Sequence, residues 1–102
     1  MLNSLNSLVN LGDVKTNTVT EGKFSLKNTS GEFINITKVV PSCGCTTSTL
    51  NNKKVSPKET ISIGFSFDSS NKRGVYTKSI TVHYSYHGEE QVLVQKFIVN
   101  VL

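Results

Sequence analysis

Two thiols one residue apart, in the run Pro41-Ser42-Cys43-Gly44-Cys45-Thr46, are the side chains most suited to chemistry in this chain. A bond between Cys43 and Cys45 closes a very small ring and forces both residues out of extended geometry, which strains the bridge. Thiol redox catalysis ordinarily uses a C-x-x-C spacing and a helix N-terminus that lowers a thiol pKa, and neither is present here. Metal binding needs further ligands, and only His83 and His87 offer imidazoles. With the segment before Cys43 antiparallel to the run 75–86, Cys43 falls near the beginning of that run and His87 at its end. At about 3.3 Å per residue they are roughly 30 Å apart, so one closed site cannot gather all four groups. Three readings stand: a structural corner with small buried thiols, a strained or transient disulfide, and a weak metal site on Cys43 and Cys45 shared between chains. The corner asks least, with Gly44 letting the backbone turn as it leaves one sheet. No cofactor is expected.

Other chemistry is poorly served. His83 reads as a surface strand residue and His87 as a turn residue. Asp13 and Asp68 sit at strand ends or turns with no nucleophile motif nearby. Glu21, Glu32, Glu59, Glu89 and Glu90 are scattered over turns rather than paired as a glycosidase requires. No glycine-rich phosphate loop precedes a helix. Asn28-Thr29-Ser30 and Asn35-Ile36-Thr37 match the glycosylation sequon, which matters only on a eukaryotic secretory route. The expectation is a protein that is not an enzyme, with no catalytic residues.

The elements that would position such residues are strands. The 102 residues suffice for one domain with one core. Alanine is absent while Ser, Thr and Asn abound, and these compete with the helical backbone for hydrogen bonds. Alternation of period two recurs throughout. Ile61, Ile63, Phe65 and Phe67 alternate with Ser62, Gly64 and Ser66; Tyr76, Ile80, Val82, Tyr84 and Tyr86 oppose Thr77, Ser79, Thr81, His83 and Ser85. Ile34, Ile36 and Val40 share a parity and are expected on one face. Turn signals at Asn28–Gly31, Asn51–Lys54, Ser56–Lys58, Asp68–Gly74 and His87-Gly88 cut the chain into about seven strands, near 8–14, 18–27, 33–40, 45–50, 60–67, 75–86 and 91–101. The fold class is all-β, an immunoglobulin-like sandwich of antiparallel strands. Residues 1–14 are expected to be an N-terminal arm or first strand on a single domain, 15–102. Tryptophan is absent and the cysteines are too close to bridge two sheets, so apolar burial alone must hold the fold.

The last strand breaks the pattern. Val92, Val94 and Ile98 have one parity, and Leu93, Phe97, Val99 and Val101 the other. A strand apolar on both sides needs cover on both, from a bulge or the N-terminal strand within the monomer or from another chain. Leu2, Leu5 and Leu8 allow the same choice between tucking in and reaching across to a neighbour. The expected interaction residues are therefore Leu2, Leu5, Leu8, Leu93, Phe97, Val99 and Val101. The net charge of +4 is spread over turn lysines with no interleaved aromatic residues, which favours a protein partner over nucleic acid. No run of roughly 18 apolar residues is available to span a membrane. The start, with its first basic residue at Lys15 and polar residues between its leucines, does not read as a secretory signal.

The segment Val39–Thr46, with Phe24-x-Leu26-x-Asn28-Thr29-Ser30-Gly31-Glu32 before it and Pro57, Ile61–Asp68 and Gly74–Val82 after it, resembles an immunoglobulin-like bacterial domain family of unknown function with a P-S-C-G-C-T motif. Pro41, Cys43, Gly44 and Cys45 carry that motif here. The resemblance implies a seven-stranded sandwich related to major-sperm-protein and Hydin-type domains, and says little about function. Lys58 stands where the family usually has Gly after Pro, which favours a type I turn over a type II turn needing positive φ. Members commonly follow an export or lipoprotein signal.

Together these features lead to the expectation of a structural accessory protein that packs on a large assembly, such as a decoration protein of a bacteriophage capsid. Its location would be the virion, assembled in the host cytoplasm. The alternatives are a bacterial envelope or cell-surface binding module, in the periplasm or outside, and a thiol-based metal-binding module.

Overall fold

The computed structural model describes every residue except 1, 7, 43, 45 and 49–52; Cys43 and Cys45 therefore lie outside the described residues, as do 45, 49 and 50 of the predicted strand 45–50. Nine strands are described: β1 Leu2–Ser4, β2 Val9–Val14, β3 Val19–Asn28, β4 Ile34–Pro41, β5 Thr46–Ser48, β6 Lys53–Val55, β7 Thr60–Asp68, β8 Gly74–Tyr86 and β9 Glu89–Val101. They form two sheets, A in the order β1-β3-β7-β5 and B in the order β2-β9-β8-β4-β6. The all-β sandwich expected from alternation is present. The count differs because β1 and β6 have only three residues each, too short to show a period. Lys53 and Lys54, read from sequence as part of a turn, lie in β6 and pair with Ile36 and Asn35. The sandwich is also not wholly antiparallel, since β2 runs parallel to β9 after the chain crosses from sheet A to sheet B.

Inward positions of both sheets interleave into one core that includes Phe24, Leu26, Ile63, Phe67, Ile80, Val82, Phe97 and Val99. An aromatic cluster joins the layers: the Phe65 and Phe97 ring centroids are 4.8 Å apart, and Phe67 meets Phe97 edge-on at 5.9 Å. Gly22 occupies an inward position because a Cβ there would sit 2.6 Å from Cζ of Phe65 and 2.8 Å from Cδ2 of Leu11.

Val40 does not share a face with Ile34 and Ile36. The pairing of β4 with β8 slips between Ile36 and Lys38, a bulge at Thr37 whose hydroxyl donates to the His83 carbonyl at 3.2 Å. The extra residue inverts the alternation, so Val39 is buried and Val40 points to solvent. The turn at Ser56–Glu59 also departs from expectation. Lys58 has φ 66°, the type II geometry, with Glu59 N–H donating to Ser56 O at 3.1 Å. Bonds from Lys58 N–H to Asn28 O (2.9 Å) and from its Nζ to Thr29 O (3.0 Å) hold the lysine there in place of glycine.

Two buried polar side chains anchor the loops. Asn28 Nδ2 donates to the carbonyls of Glu32 (2.7 Å), Val55 (3.2 Å) and Ser56 (3.1 Å), while its Oδ1 accepts from Ser30 N–H (3.0 Å) and Ser30 Oγ (2.6 Å). This asparagine is a structural hub with no exposed surface, so the sequon it begins is closed to modification in the folded domain. At the other end Ser69 Oγ lies within hydrogen-bond distance of the carbonyls of Lys15 (2.7 Å) and Thr18 (3.0 Å), which share its one proton, joining the β2–β3 turn to the β7–β8 loop.

Candidate functional site

The long hairpin of β8 and β9 organises the surface. His87 (φ 54°) and Gly88 (φ 76°) make its two-residue turn, a backbone sign that matches the right-handed strand twist. Its register carries the outward residues into rows: Val40, Thr81 and Val94 across β4, β8 and β9, then Lys38, His83 and Val92 beside them. Val40, Val92 and Val94 are 42%, 57% and 54% exposed, an apolar patch on the outer face of sheet B.

The edge of β9 is free over part of its length. β2 pairs with β9 from Phe97 to Val101, leaving Glu89–Lys96 without a neighbour on that side among the described residues. Below this run Gln95 is buried; its Oε1 accepts from Ser4 Oγ and its Nε2 donates to the Lys96 carbonyl at 3.1 Å, tying β1 to β9 across the sandwich. The N-terminal strands therefore complete the sheets but do not cover the outward face of β9, and Val92 and Val94 stay in solvent.

This corrects the interaction residues expected from sequence. Leu2, Phe97, Val99 and Val101 are core residues, at most 3% exposed, and are not free to dock, while Leu93 is half-buried and packs against the core. Leu5 and Leu8 remain exposed. The parity that faces outward is that of Val92 and Val94, which sequence marked as apolar without deciding which side was the core. Of the motif residues, Pro41 closes β4 in sheet B and Gly44 is exposed; Thr46 opens β5 in sheet A. Ser42 N–H donates to Ser79 O at 2.8 Å, in the first half of β8.

The titratable groups are dispersed. His87 Nε2 lies 2.9 Å from Glu32, and His83 Nδ1 lies 3.7 Å from Glu90, both partners largely solvated. The hydroxyl and backbone N–H of Ser70, both bonded to Asp68 Oδ1, hold the Asp68 carboxyl below its ordinary pKa, with help from Lys72. Burial pushes the Tyr84 phenol above its ordinary range, against a backbone hydrogen bond from Leu2. Among the described residues no group of three or more His, Cys, Asp or Glu is gathered as metal ligands would be. Among the described residues no helix is long and apolar enough to cross a membrane.

Two stacked sheets joined by crossovers, with a half-free long strand at one edge, define an immunoglobulin-like β-sandwich. The chain belongs to the family described as a protein of unknown function, DUF1573, whose model matches residues 2–99. No curated protein matches the sequence significantly. Among solved structures, WR4, a C. elegans MSP family member, is 13% identical with a TM-score of 0.72, each chain covered to 97%. The Pseudomonas aeruginosa CupB2 chaperone is 10% identical with a TM-score of 0.78, covering 97% of this chain and 55% of its own. The Vibrio cholerae VesB protease is 14% identical with a TM-score of 0.79; this chain is covered to 97% but spans only 31% of that protein. Likenesses at such identity establish the fold alone, a sandwich shared with an MSP family member as the resemblance in sequence implied.

Proposed function

We infer that this domain is a non-catalytic interaction module that docks on a larger protein assembly through the outer face of sheet B and the free edge of β9. The observation that carries the reading is the outward set of valines, Val40 on β4 and Val92 and Val94 on β9, beside an edge whose backbone groups are unpaired among the described residues. Contiguous exposed apolar surface and an open strand both favour protein contact. The fold's likeness to a chaperone fits a domain used for such contact. The assembly we propose is a large shell such as a bacteriophage capsid, with this chain as an accessory protein. Pro41, Cys43, Gly44 and Cys45 we assign to the corner that takes the chain from sheet B to sheet A, supported by the positions of Pro41 and Thr46.

The test is co-sedimentation of the chain with a large particle in its native lysate, and antibody labelling of purified particles. Val92→Lys with Val94→Lys is expected to abolish attachment while leaving the domain folded. Full attachment of that variant would show that the face is not the docking surface; location in the cell envelope instead would reassign the partner. Deleting the first eight residues is a poor test, because it removes Leu2 from the core and Ser4 from Gln95.

A further inference from the structure

We propose that the first partner of the free β9 edge is a second copy of this chain, paired antiparallel about a two-fold axis at Leu93. The proposal names the occupant of the surface assigned above and rests on that reading.

An isologous contact requires a surface complementary to itself. With Leu93 opposite its own copy, Val92 faces Val94 and Glu90 faces Lys96, each pair occurring twice. All four residues belong to the outward parity of β9 and are exposed, so these pairs lie on one solvent-facing side. Directly opposed residues in an antiparallel pair approach closely enough for opposite charges to attract and β-branched side chains to pack. The paired run Glu90–Lys96 also fits the vacancy, since β2 takes over the edge at Phe97. A centre moved one residue either way breaks the match: about Val92 it sets Glu90 against Val94, and about Val94 it sets Val92 against Lys96.

The comparable uncovered run on sheet A is less available. The uncovered run of β3, Val19–Phe24, has β2 packed beside it, with Leu11 over Gly22. Its neighbour Ser25 is already engaged, its N–H by Asn6 Oδ1 at 3.0 Å and its carbonyl by Leu5 N–H at 2.9 Å. Among the described residues β9 offers eight uncovered positions, with Val92 and Val94 outward.

The experiment is sedimentation of the full chain between about 1 and 500 µM, with hydrogen exchange followed at the backbone amides of 90–96. A monomer–dimer equilibrium is expected, with protection in that segment rising with concentration. Glu90→Lys alone and Lys96→Glu alone should each weaken the dimer by about five- to thirtyfold, and the two together should restore it. In a Cys43→Ser/Cys45→Ser background, Leu93→Cys should cross-link to its own copy. A chain that stays monomeric at the highest concentration overturns the proposal, as does a dimer indifferent to both single reversals. A monomer that still needs Val92 and Val94 to attach to its assembly refutes the pairing and leaves the docking reading intact. A dimer with no attachment to any particle does the reverse.

Discussion

Replacing Asn28 tests whether one buried amide closes this end of the sandwich. Its side chain serves β6, the β3–β4 loop and the Ser56–Glu59 turn, through contacts to Val55, Ser30, Glu32 and Ser56. In Asn28→Ala the carbonyls of Glu32 and Ser56 still reach water and the Ser30 hydroxyl keeps the Glu32 carbonyl at 3.0 Å, whereas the Val55 carbonyl and the Ser30 N–H lose this partner in buried surroundings. At about 1 kcal/mol for each buried bond the loss is about 2 kcal/mol. For a domain of this size that lowers Tm by about 8–16 °C. Asn28→Asp should cost more at neutral pH, because a carboxylate then faces three carbonyl oxygens with no proton to donate, and should recover part of the loss as the pH falls and the carboxyl is protonated. Urea unfolding followed by circular dichroism and tyrosine fluorescence measures both. A loss under about 1 kcal/mol for the alanine variant would refute the reasoning, since the carbonyls would then have found water at no cost.

Gly22→Ala should destabilise by about 1–3 kcal/mol, because the new methyl overlaps the Phe65 ring and Leu11 in a packed core; unfolding midpoints check it. Lys58→Gly should stabilise by about 0.5–1 kcal/mol by relieving the left-handed backbone at φ 66°, and an unchanged or lowered midpoint would show that the Nζ bond to Thr29 matters more. The raised folded-state pKa of Tyr84 contributes stability that is complete below the unfolded tyrosine value of about 10 and is lost as the pH climbs through the folded value. Stability should therefore fall above pH of about 10, and Tyr84→Phe should flatten that fall in a pH series of urea curves. Cys43→Ser with Cys45→Ser should leave attachment to the assembly unchanged if the motif is a structural corner, and loss of attachment without loss of folding would reassign it.

Alternation was enough to mark most inward residues. Phe24 and Leu26, Ile61 to Phe67, and Ile80 to Tyr84 are buried where a period of two places them, because a pleated strand has only two faces and one must exclude water. The His87-Gly88 turn was equally legible, since few residue pairs accept two positive φ values. Other features are invisible in local sequence. The bulge at Thr37, which turned Val40 outward, comes from pairing with β8 and not from any residue in β4. Lys58 takes a glycine conformation because Asn28, thirty positions away in sequence, and the Thr29 carbonyl hold it there. Which side of β9 is core was undecidable from its own residues, both parities being apolar; the opposing layer chose Phe97, Val99 and Val101 and left Val92 and Val94 outside. The chain's chemistry dictates that it makes strands and roughly where they end. The free edge exists only because β2 pairs with β9 no further than Phe97, a fact of how far one strand reaches along another.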